Sequence, residues 1–411
     1  MKNIQLHWQV LGAMVLGVIF ALIFKEKSII VAPLGTIFMR LLKMIIVPLV
    51  FFSISSGVAS LSDSRTLGRI GLKTFGYYFL SSILAILIGL TLTNIIQPGV
   101  GLNLPSQSTS FDPESLSKPN SLGEIIIRMI PTNPLSAAVN GDMLALIFWS
   151  IVFGFSVTRI RGKHQEFLNN FLNAGFSAMM KLTQGIIRLL PIGVFGLITK
   201  AVSSTGFELF KAVGQYMLTI VFGLSIHWLI ILPLLFYLFS RVNPILHYRA
   251  MASAFATAFS TSSSGATLPV TMDCIENKVG VSNKTSSFVL PLGATINMDG
   301  TALYECAGVL FISQVILPEP LTLGAQALVV ITAFLASVGA AAIPSAGLVM
   351  IFIVLDAVGL GDHPGAAMIV GTMLAVDRPL DMFRTMVNIT SDSIGASIIA
   401  KSEGETNLYK G

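Results

Sequence analysis

Asp377, Arg378, Asp381, Arg384, Asn388 and Asp392 interrupt the otherwise apolar segment from His363 to Lys401. Asp377, Asp381, Asn388 and Asp392 follow one another at steps of four, seven and four residues, and Arg384 fills the gap. On a helix these steps make one polar stripe. An ionised side chain near the bilayer centre costs about 2.5–3.5 kcal/mol on insertion scales, so such groups persist where they meet a water-filled cavity, a partner or a ligand. A guanidinium fork grips a carboxylate through two parallel bonds. Mixed signs along one stripe therefore suit a zwitterionic ligand accompanied by cations.

A second cluster runs Gly293-Ala294-Thr295-Ile296-Asn297-Met298-Asp299-Gly300-Thr301, with Glu305 one turn on. An unwound turn between the two glycines would free backbone carbonyls for a hard cation, with Asp299 supplying the charge. The plainer alternative is a helix kink in which Asn297 bonds a neighbouring helix. Asp299 needs a counter-charge in either case, which favours a cation.

Elements able to carry these groups to mid-membrane are written in the composition. The 411 residues are 54% hydrophobic and only 11% charged, against about 25% charged in soluble domains. Spans of about 20 apolar residues fall near 7–24, 33–61, 69–96, 123–158, 166–200, 206–240, 282–316 and 363–400. The run Leu11–Phe24 passes into Lys25, Glu26 and Lys27 without a small-residue cleavage site, so it reads as a first span. Segments 244–276 and 324–360 differ: each has an apolar arm, a run of small residues ending at Pro269 or Pro344, and a second arm. Tight non-helical backbone is excluded from lipid but tolerated in a buried cavity, so both read as re-entrant hairpins. Each precedes a polar-interrupted span, and two such related units point to a secondary transporter with a midplane site. The expected fold is all-α and multi-pass, with eight transmembrane helices and two re-entrant helical hairpins. Ordinary helices with small packing faces are the alternative for the hairpins.

Basic residues cluster at Lys2, at Arg65, Arg69 and Lys73, at Arg159, Arg161, Lys163 and His164, and at Arg241, His247 and Arg249. Positive-inside counting puts these and the N-terminus in the cytoplasm; Arg40 and Lys43 run against it. Two cysteines, Cys274 and Cys306, fit neither a disulfide framework nor a metal site, and suit a cell inner membrane facing a reducing cytoplasm. The net charge of +5 implies no nucleic-acid partner.

Asn297 to Thr301, the run Arg384-Thr385-Met386-Val387-Asn388 and the Ser262–Ser264 tip together resemble the dicarboxylate/amino acid:cation symporter family of glutamate and aspartate transporters. The resemblance spans the chain, from Arg40-Leu41-Leu42-Lys43-Met44 through Pro131-Thr132-Asn133-Pro134 to Asp392. It implies a homotrimer of inverted-repeat elevator carriers. The scaffold would comprise 1–68 and 99–205, and the transport domain 69–98 and 206–411. Arg384 would take the side-chain carboxylate of an acidic amino acid and Asp381 its ammonium. Asn388 with Ser262, Ser264, Thr301, Thr385 and the backbone at Ile343 would surround the rest. One sodium site would use carbonyls of Gly293, Asn297 and Asn388 with Asp392. A second ion would use carbonyls of Thr295, Ser337, Val338 and Ala340, and a third Tyr78, Ser81, Ser82, Asn297 and Asp299. Sodium ions are cargo, and no cofactor is implied.

Three departures stand out within that resemblance. Glu305 occupies a position that is glutamine in sodium-only archaeal members, which implies proton cotransport. The family's additional arginine is absent, the corresponding positions being Ser262 and Met382, and Arg378, three residues before Asp381, is a candidate substitute. Ala340 replaces a threonine, where the ligand is a backbone carbonyl. C4-dicarboxylate symport is the nearest alternative, although such substrates offer Asp381 no ammonium. From another class, Gly359-Leu360-Gly361-Asp362 matches the Gly-x-Gly-Asp motif of intramembrane aspartyl proteases, but the chain lacks a Tyr-Asp partner. A Ser264–His227 dyad lacks the flanking glycine pattern.

Overall fold

The computed structural model describes residues 6–59, 65–101, 127, 129–140, 142–205, 208–338, 346–406 and 408–409. Among these residues the regular structure is helical, with no strand. Helices α1 (Leu6–Phe24), α2 (Ala32–Ala59) and α3 (Arg65–Ile96) agree with the first three expected spans. The fourth is divided into short α4 (Pro134–Asn140) and α5 (Met143–Arg159). The fifth consists of α6 (Lys163–Ile187) and α7 (Leu190–Thr205), bent by 54° at their junction. Pro191, which has no amide hydrogen, opens the first turn of α7, the position where its ring does least harm.

Three stretches among the described residues, Lys27–Ala59, Arg69–Ile96 and Leu209–Ser240, are single helical runs long and apolar enough to cross a membrane. The bent pair in the fifth segment would make a fourth. Other expected spans are shortened, broken or polar, and the break at Asn297–Met298 coincides with the candidate chemistry. The sixth span is α8 (Glu208–Ile226), a π turn at His227–Ile231, and α9 (Leu232–Ser240). Pro233 cannot donate to the carbonyl four residues back, and the wider turn is closed by Leu232 N–H to His227 O.

The first hairpin folds as read: α10 (Pro244–Thr261) and α11 (Ser264–Asp273) pack against each other. Ser262 turns the chain in the left-handed region at φ 51°, and Ser263 caps α11 by accepting from Ala266 N–H. The expected unwound turn is present too. α12 (Asn283–Ile296) stops at Asn297 and Met298, and α13 (Asp299–Ile316) resumes after them. The second hairpin has arms α14 (Leu323–Val338) and α15 (Ala346–Ala357) in contact. Its expected tip, with Gly339, Ala340 and Ile343, lies outside the described residues. Polar α16 (Pro364–Ser402) is one continuous helix despite Pro379.

Two packing groups emerge. α1 packs on α7, and α2 on α5, α6 and α7. α13 lies at the centre of the other, against α3, α8, α14, α15 and α16, and is buried around nearly its whole circumference.

Candidate functional site

Arg384 projects from α16 and is 1% exposed. Its Nη2 donates to Asp381 Oδ1 at 2.8 Å and to Asp377 Oδ1 at 3.0 Å. Steps of three and seven residues bring these groups to one face, as the stripe predicts. The guanidinium lies 3.8 Å from the centroid of the Tyr304 ring, an arrangement that stabilises a desolvated cation. Nη1 and Nε make no hydrogen bond within the described residues. Gly347, at the start of α15, comes so close that a Cβ there would sit 2.8 Å from Nη1. The second hairpin therefore reaches the guanidinium's unused donors. Asp381 Oδ2 also faces Arg378 Nη1, at 3.8 Å.

Asn388, one turn beyond Arg384, caps the broken helix. Its Oδ1 accepts from Gly300 N–H at 2.8 Å, and its Nδ2 donates to Thr301 Oγ1 at 3.3 Å. A helix start leaves its first amides without partners, so the unwound turn draws in a side chain from the stripe. Thr385 donates to Asp381 O at 2.8 Å. Both arms of the first hairpin contact α16. Ser262 and Ser264 are buried at its tip, and the Ser262 hydroxyl has no partner within the described residues.

Four oxygens converge on the other side of the broken turn. Asp299 Oδ1 accepts from Ser82 Oγ at 2.6 Å and Ser81 Oγ at 3.2 Å. Asn297 Oδ1 lies 3.4 Å from Ser81 Oγ and 3.5 Å from Ser82 Oγ. Asn297 Nδ2 is turned away, donating to Ser391 Oγ and Asp392 Oδ1, each at 2.9 Å. Hydroxyl, amide and single-carboxylate oxygens suit a hard cation rather than a transition metal. Asn297 also bonds a neighbouring helix, as the plainer reading of this residue expects.

Tyr78 donates to Val289 O at 2.9 Å. A Cβ on Gly293 would lie 2.5 Å from both the Tyr78 hydroxyl and Asp392 Oδ1; only glycine leaves room for that meeting. Thr295 and Val338 line one cavity of about 420 Å³ between α2, α6 and α12. Ser337 is buried and bonded to Phe334 O. Ile343 and Ala340 fall outside the described residues. Glu305 is fully buried on α13, and neither carboxyl oxygen makes a hydrogen bond within the described residues.

The sequence pattern does not single out Tyr304, Gly347, Ser391 or, above all, His227, whose Nε2 lies 3.0 Å from Asp299 Oδ2. A lone imidazole in an apolar span was the available signal.

The family profile described as "Sodium:dicarboxylate symporter family" matches residues 6–402. The chain is 36% identical to excitatory amino acid transporter 3 of Mus musculus, over 96% of this chain and 85% of that protein. It is 33% identical to the proton/sodium-glutamate symport protein of Geobacillus stearothermophilus, covering 100% and 97% of the two chains. Identity to the proton/glutamate-aspartate symporter of Escherichia coli (strain K12) is 32%, over 100% and 96%.

Proposed function

The chain belongs to the sodium:dicarboxylate symporter family, and from that premise we propose a secondary active symporter that takes up aspartate or glutamate with sodium. It is a membrane transporter and not an enzyme. The observation that carries the substrate reading is Arg384, a buried guanidinium with one nitrogen on two carboxylates and two nitrogens making no hydrogen bond within the described residues. The substrate's side-chain carboxylate takes Arg384, and its ammonium takes Asp381. Asn388, Thr301, Thr385, Ser262, Ser264 and the backbone at Ile343 enclose the main-chain carboxylate. A neutral side chain would leave Nε and Nη1 of the guanidinium without an acceptor in a desolvated pocket, at about 1–3 kcal/mol for each unsatisfied donor.

Sodium binds first around Ser81, Ser82, Asn297, Asp299 and Tyr78, which orders the broken turn and, through Asn388, the substrate pocket. Gly293, Asn388 and Asp392 serve a second ion, and Thr295, Ser337, Val338 and Ala340 a third, beneath the closing second hairpin. Glu305 carries a proton. Each net positive charge moved inward is driven by about 2.3 kcal/mol per 100 mV.

Residues 1–68 and 99–205 form the static scaffold of a homotrimer. Residues 69–98 and 206–411 form the part that moves, as an elevator, across an inner membrane with the N-terminus cytoplasmic. The separate packing of α1, α2, α5, α6 and α7 supports this division. Between the two groups, Leu197 of α7 packs into the space that Gly371 of α16 leaves open. Arg378 supplies the family's second guanidinium from within α16, and Arg378→Ala with unaltered affinity and exchange rate refutes that role.

Uptake of labelled aspartate, glutamate and succinate into proteoliposomes, under separately imposed sodium, proton and potassium gradients, tests the whole reading. Sodium-driven accumulation of the amino acids is expected. Succinate as the preferred substrate would replace this reading by C4-dicarboxylate symport.

A further inference from the structure

The imidazole of His227 is fully buried, and its only hydrogen bond within the described residues runs from Nε2 to Asp299 Oδ2 at 3.0 Å. We propose that His227 is a positioning residue for the cation cluster, holding the Asp299 carboxylate so that Oδ1 faces Ser81, Ser82 and Asn297, and thereby setting sodium affinity. The inference rests on the reading of that cluster as a sodium site.

Local sequence explains how the ring gets there. Pro233 accompanies the π turn at His227–Ile231, and such turns recur where a helix must re-aim side chains. The re-aimed pair is His227 and Trp228. Trp228 Nε1 donates to Thr390 Oγ1 at 3.0 Å, and the Tyr248 hydroxyl donates to the Trp228 carbonyl. The ring therefore sits on a stretch of backbone tied at several points to its surroundings.

Comparison with His247 separates this role from ordinary packing. His247 uses both nitrogens, Nδ1 with the Tyr409 hydroxyl at 2.6 Å and Nε2 with Ser393 Oγ at 2.9 Å. A histidine placed only to satisfy a core would do the same. His227 commits one nitrogen to a carboxylate, and its Nδ1 has no partner within the described residues. An ionised carboxylate can only accept, so Nε2 is the donor.

The two carboxylate oxygens then have separate tasks. A cation arriving at Oδ1 must meet hydroxyl lone pairs, so the serine hydrogens have to turn away. Ser81 has a second acceptor for its hydrogen, Tyr78 O at 3.2 Å. The His227 bond lies on Oδ2, away from this exchange, and persists through it. It keeps the carboxylate plane fixed while the serines reorient. Outer partners of this kind typically set metal affinity by about 10–100-fold.

The test is a sodium titration of the purified protein, read by sodium-dependent thermal stabilisation with choline as control and by initial glutamate uptake in proteoliposomes. His227→Leu is expected to raise half-saturating sodium by roughly tenfold or more, with maximal uptake at saturating sodium largely kept. His227→Gln, whose Nε2 can take the imidazole Nε2's place, is expected to recover most of that loss. Unchanged sodium affinity in His227→Leu overturns the proposal, as does equal impairment of the Leu and Gln variants, which would mean packing alone. If the Leu variant does not fold, Gln is compared with Asn, whose shorter amide cannot reach Asp299; equal sodium affinities again overturn it. Asp299→Asn separates the two levels. If it abolishes sodium dependence while His227→Leu leaves half-saturating sodium unchanged, only this inference fails. If it leaves sodium dependence intact, the reading of the cluster as a sodium site fails, and the inference with it.

Discussion

Residues 6–59 and 142–205 bury polar atoms in one way, and residues 208–406 in another. In the first group, the polar side chains buried among the described residues are all serine or threonine. Several return their hydrogen to their own helix, as Ser150 does to Leu146 O at 2.7 Å, Thr183 to Met179 O at 2.8 Å and Thr199 to Phe195 O at 2.7 Å. Such a hydroxyl needs nothing from outside its helix. The second group buries Asp299, Glu305, Asp377, Asp381, Arg384, Asn388 and Asp392, groups that must find one another or a ligand. One region holds a shape, and the other a charge pattern that the proposed ligands would complete, stabilising it by mass action.

Breaking the charge pattern gives the largest effect. Arg384→Ala strands Asp377 and Asp381 in the interior, a loss of about 3–5 kcal/mol for a broken buried pair. That is roughly 100-fold or more in any equilibrium it governs. Aspartate and glutamate uptake are expected to fall at least that far. Arg384→Lys keeps the charge without the planar fork, and should recover only part of the loss. Near-normal uptake in the Ala variant would leave the substrate reading without its anchor.

Two glycines sharpen the contrast with matched substitutions. A Cβ on Gly35 would lie 2.7 Å from Leu197 Cγ and 2.9 Å from Leu197 N in the helix frame. Gly35→Ala should cost about 1–3 kcal/mol of stability through overpacking and leave half-saturating sodium unchanged. Gly293→Ala instead pushes a methyl against Asp392 Oδ1 and the Tyr78 hydroxyl. Sodium affinity should fall by a factor similar to that for His227→Leu, with a smaller change in melting temperature. If both variants altered stability and sodium affinity alike, the two regions would not be functionally distinct.

The same contrast decides what could be read in advance. The first hairpin's turn, the paired arms of the second, the unwound turn at Asn297–Met298 and the Asp377–Arg384 stripe were legible, because proline, small residues and helical spacing act locally. The capping of Gly300 by Asn388 and the bond from His227 to Asp299 were not, since they join residues 88 and 72 positions apart. No periodicity records such pairings. The bend at residues 188–189 and the π turn at His227–Ile231 were not legible either, because hydropathy windows average over them.

Glu305 offers a subtler break. Its buried carboxyl makes no hydrogen bond within the described residues, so a glutamine of nearly equal shape can replace it with little structural loss. Glu305→Gln should still transport, but uptake at fixed sodium should lose its dependence on external pH, because the amide permanently imitates the protonated acid. Preserved pH dependence would assign the proton elsewhere.

The smallest effect lies where the long last helix ends. Glu403, 9% exposed, accepts from Arg69 Nε at 3.1 Å and Lys73 Nζ at 2.6 Å, and also pairs with Arg69 Nη2, tying α3 to the end of α16. Hydrogen bonds from Arg69, then Lys73, hold its carboxyl down at about 2, below the ordinary 4.5. A depressed folded-state value stabilises the protein above the unfolded value. The contribution is therefore full above about pH 4.5 and is lost as pH falls toward about 2. Arg69 is 64% exposed, so water and salt screen the pairs and each adds little to stability. The melting temperature of Glu403→Gln in detergent should lie at most about 2 °C below that of the parent. That gap should stay level from pH 8 to about pH 4.5 and close below it. Thr199→Val, which removes a hydroxyl bonded only to backbone carbonyls, should give a gap that does not change over the same range. A Glu403→Gln gap that widened in acid would mean that the contact is held by packing, and the electrostatic tie between α3 and α16 would have to be given up.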